Sequence, residues 1–205
     1  MRNKAAVVFM LAFFCGVISA GTLEITKFSA AAKDDSTDKV TPPPASGPEG
    51  PAKVGQAGGG VMVFSGALKV TGISFQKNAV VMPVTEYKGR AYTDIKLLSK
   101  GLYAKIEACL SKGVCKNAAA AVPKISVAGV KMLKSKTRVA NAETVFDGEL
   151  LVTAGVMNSS YEPGELWIAW PEIFKIKNAA LKHKTEQLIK EAYAKALKKP
   201  VASGR

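Results

Sequence analysis

The chain has 205 residues and a formal net charge of +13, from 29 Lys and Arg against 16 Asp and Glu. It contains three Cys and one His, His183, which falls on a Lys-rich helical stretch where we expect it to be exposed. No Ser–His–Asp set, paired carboxylate motif, phosphate-binding Gly loop or metal-ligand spacing is present. The sequence therefore argues against an enzyme and predicts no catalytic, cofactor or metal residues. A basic surface attracts nucleic acid, anionic lipid or acidic polymers.

The first 20 residues have the pattern of a secretory signal peptide. Arg2 and Lys4 precede an apolar run from Ala5 to Ala20, and the small residues Ser19-Ala20-Gly21 follow its apolar part. The run is shorter than the roughly 20 residues that a spanning helix needs. We therefore expect export to the periplasm, the envelope or the medium. The alternative is an uncleaved inner-membrane anchor formed by residues 5–20.

Residues 21–60 are predicted to form a disordered linker. They contain Pro42-Pro43-Pro44 and Gly58-Gly59-Gly60 and few apolar side chains. Such a composition cannot bury enough apolar surface to offset the entropy of ordering the chain.

The next part, residues 61–117, is predicted to be a first module. Apolar and polar residues alternate as in half-buried strands, and a stretch with helical spacing follows. The predicted strands are Leu68–Phe75, Ala79–Met82 and Ala91–Leu97, and the predicted helix is Leu102–Lys112. Pro83 ends the second strand because proline cannot donate to a strand ladder.

Residues 124–198 are predicted to form a second module of the same kind, followed by a flexible tail at 199–205. The predicted strands are Ile125–Met132, Val139–Val145, Leu150–Met157, Glu165–Trp170 and a short Phe174–Ile176, and the helix is Ala179–Leu197. In both modules an apolar strand runs into a hydrophobic residue and Pro, and a basic helix follows. The sequence thus predicts an α+β fold of two small antiparallel-sheet modules, each closed by a C-terminal helix.

Cys109 and Cys115 lie at the end of the first predicted helix and just beyond it. A helix that ends at Gly113 can fold Cys115 back within disulfide reach, and the alternative is two buried thiols. Two cysteines without a neighbouring His do not make a zinc site.

Basic residues cluster on both helices and on the turn after the first strand of the second module. The candidate polyanion-binding residues are Lys105, Lys131, Lys134, Lys136, Arg138, Lys182, Lys184 and Lys190. Tyr87, Tyr92 or Tyr193 could stack on bases. The alternative for the lysines is plain solvation of amphipathic helices.

Trp167 and Trp170 are three residues apart in one predicted strand, so they cannot both lie on the same side of it together with Ile168. We expect one ring in the core and the other exposed at the Pro171 bend. An exposed Trp beside basic residues favours a protein or glycan interface.

The ordered motifs of the second module resemble those of the stage V sporulation protein G (SpoVG) family. Its Lys124-Ile125-Ser126, Phe146-Asp147-Gly148-Glu149-Leu150 and Leu166-Trp167-Ile168-Ala169-Trp170-Pro171 are similar to that family's K-I-S, F-D-x-E-F and L-F-V-A-M-P. In the first module, Val81-Met82-Pro83 and Gly89-Arg90-Ala91-Tyr92-Thr93-Asp94-Ile95 resemble A-M-P and G-x-x-F/Y-x-D-I.

The resemblance implies a small antiparallel sheet with a C-terminal helix, dimerisation, and nucleic-acid binding linked to septation and sporulation. Two tandem modules in one chain would reproduce the dimer as an intramolecular pseudo-dimer, and a homodimer is the alternative. The chain departs from the family in its signal peptide, since family members are cytoplasmic. Its first module also lacks the opening pair of strands unless Val61–Phe64 supplies one.

Two functions follow as expectations. The first is a SpoVG-like, non-enzymatic binding and regulatory protein whose basic helix faces suit a polyanion such as nucleic acid. The second is an exported envelope adaptor that keeps the fold and binds a protein or an anionic cell-wall polymer.

Overall fold

The computed structural model describes residues 22–30, 59–113, 115, 120–162 and 164–198. In these residues, strands and two helices make up an α+β fold, as the sequence predicts. In chain order the elements are β1 Ile25–Ser29, β2 Gly60–Phe64, β3 Leu68–Gln76, β4 Ala79–Val81, β5 Thr85–Tyr87, β6 Arg90–Tyr92, β7 Ile95–Leu97, α1 Lys100–Lys112, β8 Ile125–Met132, β9 Arg138–Phe146, β10 Leu150–Asn158, β11 Leu166–Ala169, β12 Phe174–Ile176 and α2 Ala179–Lys198.

The described strands form two larger antiparallel sheets and one separate hairpin. Sheet 1 has the order β1-β2-β3-β12, and β4 pairs with the end of β3. Sheet 2 has the order β11-β10-β9-β8, and β7 pairs with the start of β10. Strands β5 and β6 form the hairpin.

Each sheet contains one strand from the other half of the chain. In sheet 2, β7 from the first half pairs with β10, and Ile95 lies opposite Val152. In sheet 1, β12 from the second half pairs with β3, and Phe174 lies opposite Val70. The two halves are therefore joined by backbone ladders as well as by packing.

The hydrogen bonds at the ends of these exchanged strands match between the halves. The Leu98 N–H donates to the Glu149 carbonyl, and the Lys177 N–H donates to the Ala67 carbonyl, both at 2.7 Å. Each helix begins just after this bond, α1 capped by Ser99 and α2 by Asn178.

The hairpins β2–β3 and β9–β10 also match. Ser65 and Asp147 both have a φ of 49°. The Ser65 N–H donates to the Glu24 carbonyl at 2.7 Å, and the Asp147 N–H donates to the Lys124 carbonyl at 2.9 Å. Apart from the β5–β6 hairpin, which follows Pro83 in the first half, the order strand, strand, strand, strand, Pro, exchanged strand, helix therefore occurs twice among the described residues.

A shared core lies between the two sheets and α1. The side chains of Phe64, Leu68, Phe146, Leu150 and Ile95 are fully buried in it. A second, smaller cluster packs sheet 2 against α2 and contains Ala140, Ala142, Ala154, Val156, Ile168, Ile189 and Tyr193. Burial of apolar side chains at this scale is the main force that holds the sheets and helices together.

The structure corrects two sequence predictions in the first half. Ile25–Ser29, assigned to the linker, is strand β1, and Leu23 and Ile25 are buried in the shared core. Strands β1 and β2 thus supply the opening pair that the first module lacked. The predicted strand Ala91–Leu97 is instead two strands, β6 and β7, because Thr93 and Asp94 between them are not in a strand. The two strands also have different partners. The predicted signal peptide, residues 31–58 of the predicted linker and the predicted tail lie outside the described residues.

Helix α1 ends at Gly113, whose φ is 67°, a left-handed conformation that glycine adopts without steric cost. Beyond it, Cys115 is disulfide-bonded to Cys109, and their Cα atoms are 4.4 Å apart. The structure therefore has the disulfide rather than two thiols. Neither of the described helices is long and apolar enough to cross a membrane.

Candidate functional site

A group of cations lies at one end of sheet 2, where β8 turns into β9. Lys131, Lys134, Lys136 and Arg138 are all exposed. None of them forms an ion pair with a described residue. We call residues 131–138 the basic hairpin. The structure brings these four predicted residues together.

Local hydrogen bonds fix the shape of the basic hairpin. The Arg138 N–H donates to the Ser135 hydroxyl at 3.2 Å, and the Leu133 N–H donates to the Val139 carbonyl at 2.8 Å. The Asn158 side-chain amide donates to the Lys136 carbonyl at 2.9 Å. Since Asn158 ends β10, the turn is held against sheet 2 and its cations are presented from an ordered backbone.

The Arg138 side chain lies over the neighbouring strand at Gly155. A Cβ atom at Gly155 would be 2.9 Å from Arg138 Nε and 3.2 Å from Cζ. Real Cβ atoms do not approach other heavy atoms this closely, so the glycine makes room for the guanidinium. The sheet thus positions Arg138 through a residue that has no side chain.

Trp167 lies on the same face of sheet 2. Arg138 is paired with Met157 on β10, and Met157 is paired with Trp167 on β11. Directly paired residues share a face of the sheet. Trp167 is 49% exposed, and we call the face that carries Arg138, Met157 and Trp167 the outer face of sheet 2.

Trp170 is the tryptophan that packs inside. It is partly buried against both hydrophobic clusters, and its Nε1–H donates to Glu186 Oε1 at 3.2 Å. The exposed ring is therefore Trp167, within the strand, and not a ring at the Pro171 bend as expected.

Lys105 does not belong to the candidate site. Its Nζ donates to Glu24 Oε1 at 2.6 Å and to the Leu23 carbonyl at 3.0 Å. These bonds tie α1 to the start of β1. The prediction of Lys105 as a polyanion ligand overlooked this partner, because Glu24 was assigned to the linker.

The lysines predicted on α2 are exposed but point in different directions. With 3.6 residues per turn, Lys184 lies about 200° and Lys190 about 80° around the helix from Lys182. Lys182 also lies 3.8 Å from Glu186. Helix α2 therefore does not present these three cations as one surface.

Of the three predicted stacking tyrosines, Tyr193 is buried under sheet 2, so that prediction is wrong. Tyr87 and Tyr92 are exposed on the β5–β6 hairpin. Lys88 Nζ lies 5.4 Å from the centroid of the Tyr87 ring, within the range of a cation–π contact.

Three further cations form a row across sheet 1 that sequence reasoning missed. Lys69 on β3 lies opposite Lys175 on β12 and opposite Val63 on β2, and Val63 lies opposite Lys27 on β1. Like charges directly opposite each other destabilise a sheet. In the sequence, each of these lysines stands alone beside an apolar residue. That they lie in one row follows only from the pairing of β1 and β12 within sheet 1. We call Lys27, Lys69 and Lys175 the lysine row.

The described residues contain no group of three or more His, Cys, Asp or Glu that could hold a metal ion. A cleft of 370 Å³ lies between the start of β8 and the first turn of α2, lined in part by Pro123, Ile125, Leu181 and Lys184. Its lining contains no described His, Cys, Asp or Glu. His183 is exposed on α2.

A fold does not by itself specify a function, because functions reside in sites. The basic hairpin, the outer face of sheet 2 and the lysine row are the features on which a function can be argued. No family model, curated protein or solved structure matches the chain.

Proposed function

We propose that the chain is a SpoVG-like, non-enzymatic protein that binds a polyanion, with nucleic acid as the polyanion that the resemblance implies and septation or sporulation as its context. The basic hairpin is the observation that supports this proposal most directly. Its four cations are exposed, close in sequence and without an ion pair to any described residue. Such a group raises the electrostatic energy of the free protein, and a polyanion lowers it.

Phosphate binding by these cations would make affinity depend on salt. Each neutralised phosphate releases condensed counterions, so log K falls linearly with log salt by about 0.7 per contact on single strands and about 0.9 on duplex DNA. Four contacts correspond to a slope of roughly −2.8 to −3.6. The lysine row offers three more cations on a second surface.

Replacing Lys131, Lys134, Lys136 and Arg138 with Gln tests the proposal. We expect weaker binding of nucleic acid and a salt slope that is shallower by about 3, measured by fluorescence anisotropy between low and high salt. The matched control replaces four exposed lysines elsewhere, namely Lys77, Lys100, Lys112 and Lys198. Equal losses in both variants would mean that net charge alone binds the polyanion, and the basic hairpin would not be the site.

We also propose that the two halves are an intramolecular SpoVG-like pseudo-dimer. The reciprocal exchange of β7 and β12 and the matched hydrogen bonds of Leu98 and Lys177 support this interpretation. A pseudo-dimer satisfies within one chain the pairing that two chains would otherwise supply. We therefore expect a monomer by light scattering at micromolar concentration, whereas a stable homodimer would contradict it.

A second function is favoured by the Cys109–Cys115 disulfide, since disulfides persist in oxidising compartments outside the cytosol. Together with the apolar segment 5–20, it supports an exported adaptor that binds an anionic envelope polymer or a protein. Cell fractionation with N-terminal sequencing separates the two functions. A mature N-terminus near Gly21 in the envelope or medium excludes a chromosomal role, and an intact Met1 in the cytoplasm excludes the exported adaptor.

A further inference from the structure

We propose that Trp167 stacks on a base of a single-stranded nucleic acid whose phosphates are bound by Arg138 and the lysines of the basic hairpin. This inference rests on the proposed polyanion-binding function and adds the strandedness of the ligand and the residue that selects it.

The first step is the placement of the ring beside the cations. Arg138, Met157 and Trp167 lie in one row across β9, β10 and β11. With neighbouring strands about 4.8 Å apart, the Cα atoms of Arg138 and Trp167 are roughly 10 Å apart. A chain that follows this row can therefore place a phosphate at Arg138 and a base at Trp167.

The second step is the exposure of the ring. Trp167 is 49% exposed, whereas its neighbour Ile168 is 7% exposed and belongs to the cluster under α2. The fold uses Ile168 and Trp170 for packing and leaves the Trp167 ring at the surface. A single exposed apolar side chain is ordinary. What distinguishes Trp167 is its position beside the cations of the basic hairpin.

The surface of sheet 2 next to the Trp167 ring has only small side chains. The residues paired in the following row are Gly155 on β10 and Ala169 on β11, which carry at most one methyl group. Because the Arg138 guanidinium lies over Gly155, the shallow position that remains is Ala169, between the Trp167 ring and the guanidinium. Flat bases fit such a surface, and both groups can stack on them.

The exposed Trp167 ring favours single strands over double strands as the ligand. In a duplex the base faces are stacked on one another, and only base edges and phosphates are accessible. The phosphate contacts of the basic hairpin serve either form, but the Trp167 ring can stack only on a base that is free. Trp167 should therefore confer a preference for single strands.

The experiment uses the intrinsic fluorescence of the full chain with Trp170→Phe, in which Trp167 is the remaining tryptophan. The probes are a single-stranded oligonucleotide of about 12 nucleotides, which suits the site sizes of such surfaces, its duplex, and heparin. We expect quenching by the single strand and little change with duplex or heparin. Because Trp170 is partly buried, the affinities are also measured with Trp170 intact.

With Trp170 intact, Trp167→Ala should lower the affinity for the single strand by roughly 5- to 150-fold, the range expected for the loss of one base–aromatic stack. Its heparin affinity should stay unchanged, and Trp167→Phe should restore much of the loss. Single-strand binding that is indifferent to Trp167→Ala overturns the stacking inference and leaves polyanion binding intact. Heparin binding that needs Trp167 equally assigns the face to an acidic glycan. No binding of any probe overturns the proposed function itself.

Discussion

Gly155→Ala tests whether the position of Arg138, and not just its charge, matters for binding. The new methyl group would lie 2.9 Å from Arg138 Nε, so the guanidinium must move off the sheet. The arginine remains and the net charge of the protein does not change. The substitution therefore separates the placement of the cation from its presence.

The size of the effect follows from the counterion term. At about 0.7 to 0.9 log units per contact for each tenfold change in salt, one phosphate contact contributes roughly sixfold in affinity at 0.1 M salt relative to 1 M. Displacing Arg138 should cost between about twofold and sixfold. Stability should change by less than about 1 kcal/mol, because the atoms that must shift are the far end of a long arginine side chain and Ala is favoured over Gly within strands.

The assay is anisotropy titration of the single-stranded oligonucleotide, with urea unfolding of each variant as the stability measurement. Gly129→Ala is the matched control, since a Cβ there meets only the Glu143 carboxylate at the ordinary distance of 3.8 Å. A role for the position of Arg138 is refuted if Gly155→Ala binds like the parent while Arg138→Gln is weakened. It is also refuted if both glycine variants lose affinity equally.

Three further predictions concern stability. Glu149→Ala removes the acceptor of the buried Leu23 N–H, a bond of 2.6 Å, and should lower the free energy of unfolding by about 2 to 3 kcal/mol; an unchanged urea midpoint would contradict it. Replacing both Cys109 and Cys115 with Ala should cost about 2 kcal/mol for so short a loop, and reductant should then have no further effect. Ile95→Ala removes a side chain with no exposed surface and should cost about 2 to 5 kcal/mol. Ile95 lies on a strand of sheet 2, and its side chain is buried in the core that both sheets share. Amide exchange should therefore accelerate in both sheets.

The sequence predicts the second half of the fold closely, because its strands alternate regularly and are joined by tight turns. The sequence does not predict the pairing of strands whose partners are distant along the chain. Strand β1 has five residues, lies next to a Pro- and Gly-rich stretch, and pairs with β2 only after that stretch. The strands β7 and β12 have three residues each, with a lysine between two apolar residues. Their partners lie in the opposite half, and no local pattern specifies such an exchange.

The same distinction applies to the candidate site. Lys131, Lys134, Lys136 and Arg138 are close in sequence, so a hairpin brings them together whatever the rest of the chain does. Predicting the role of Lys105 required knowing that Glu24 lies beside α1. The lysine row and the pairing of Arg138 with Trp167 through Met157 depend on strand register, which composition does not reveal.

The exchange of β7 and β12 has a consequence for how the chain reaches its native state. During synthesis, the first half emerges before β12 exists, so β3 keeps part of one edge unpaired and Leu68 and Val70 lack their partners on β12. Unpaired strand edges template aggregation, and pairings distant in sequence slow folding. We expect the two halves to acquire stable structure together, late and in one cooperative step. A chaperone that shields the emerging first half would then matter more for yield than the stability of the finished protein.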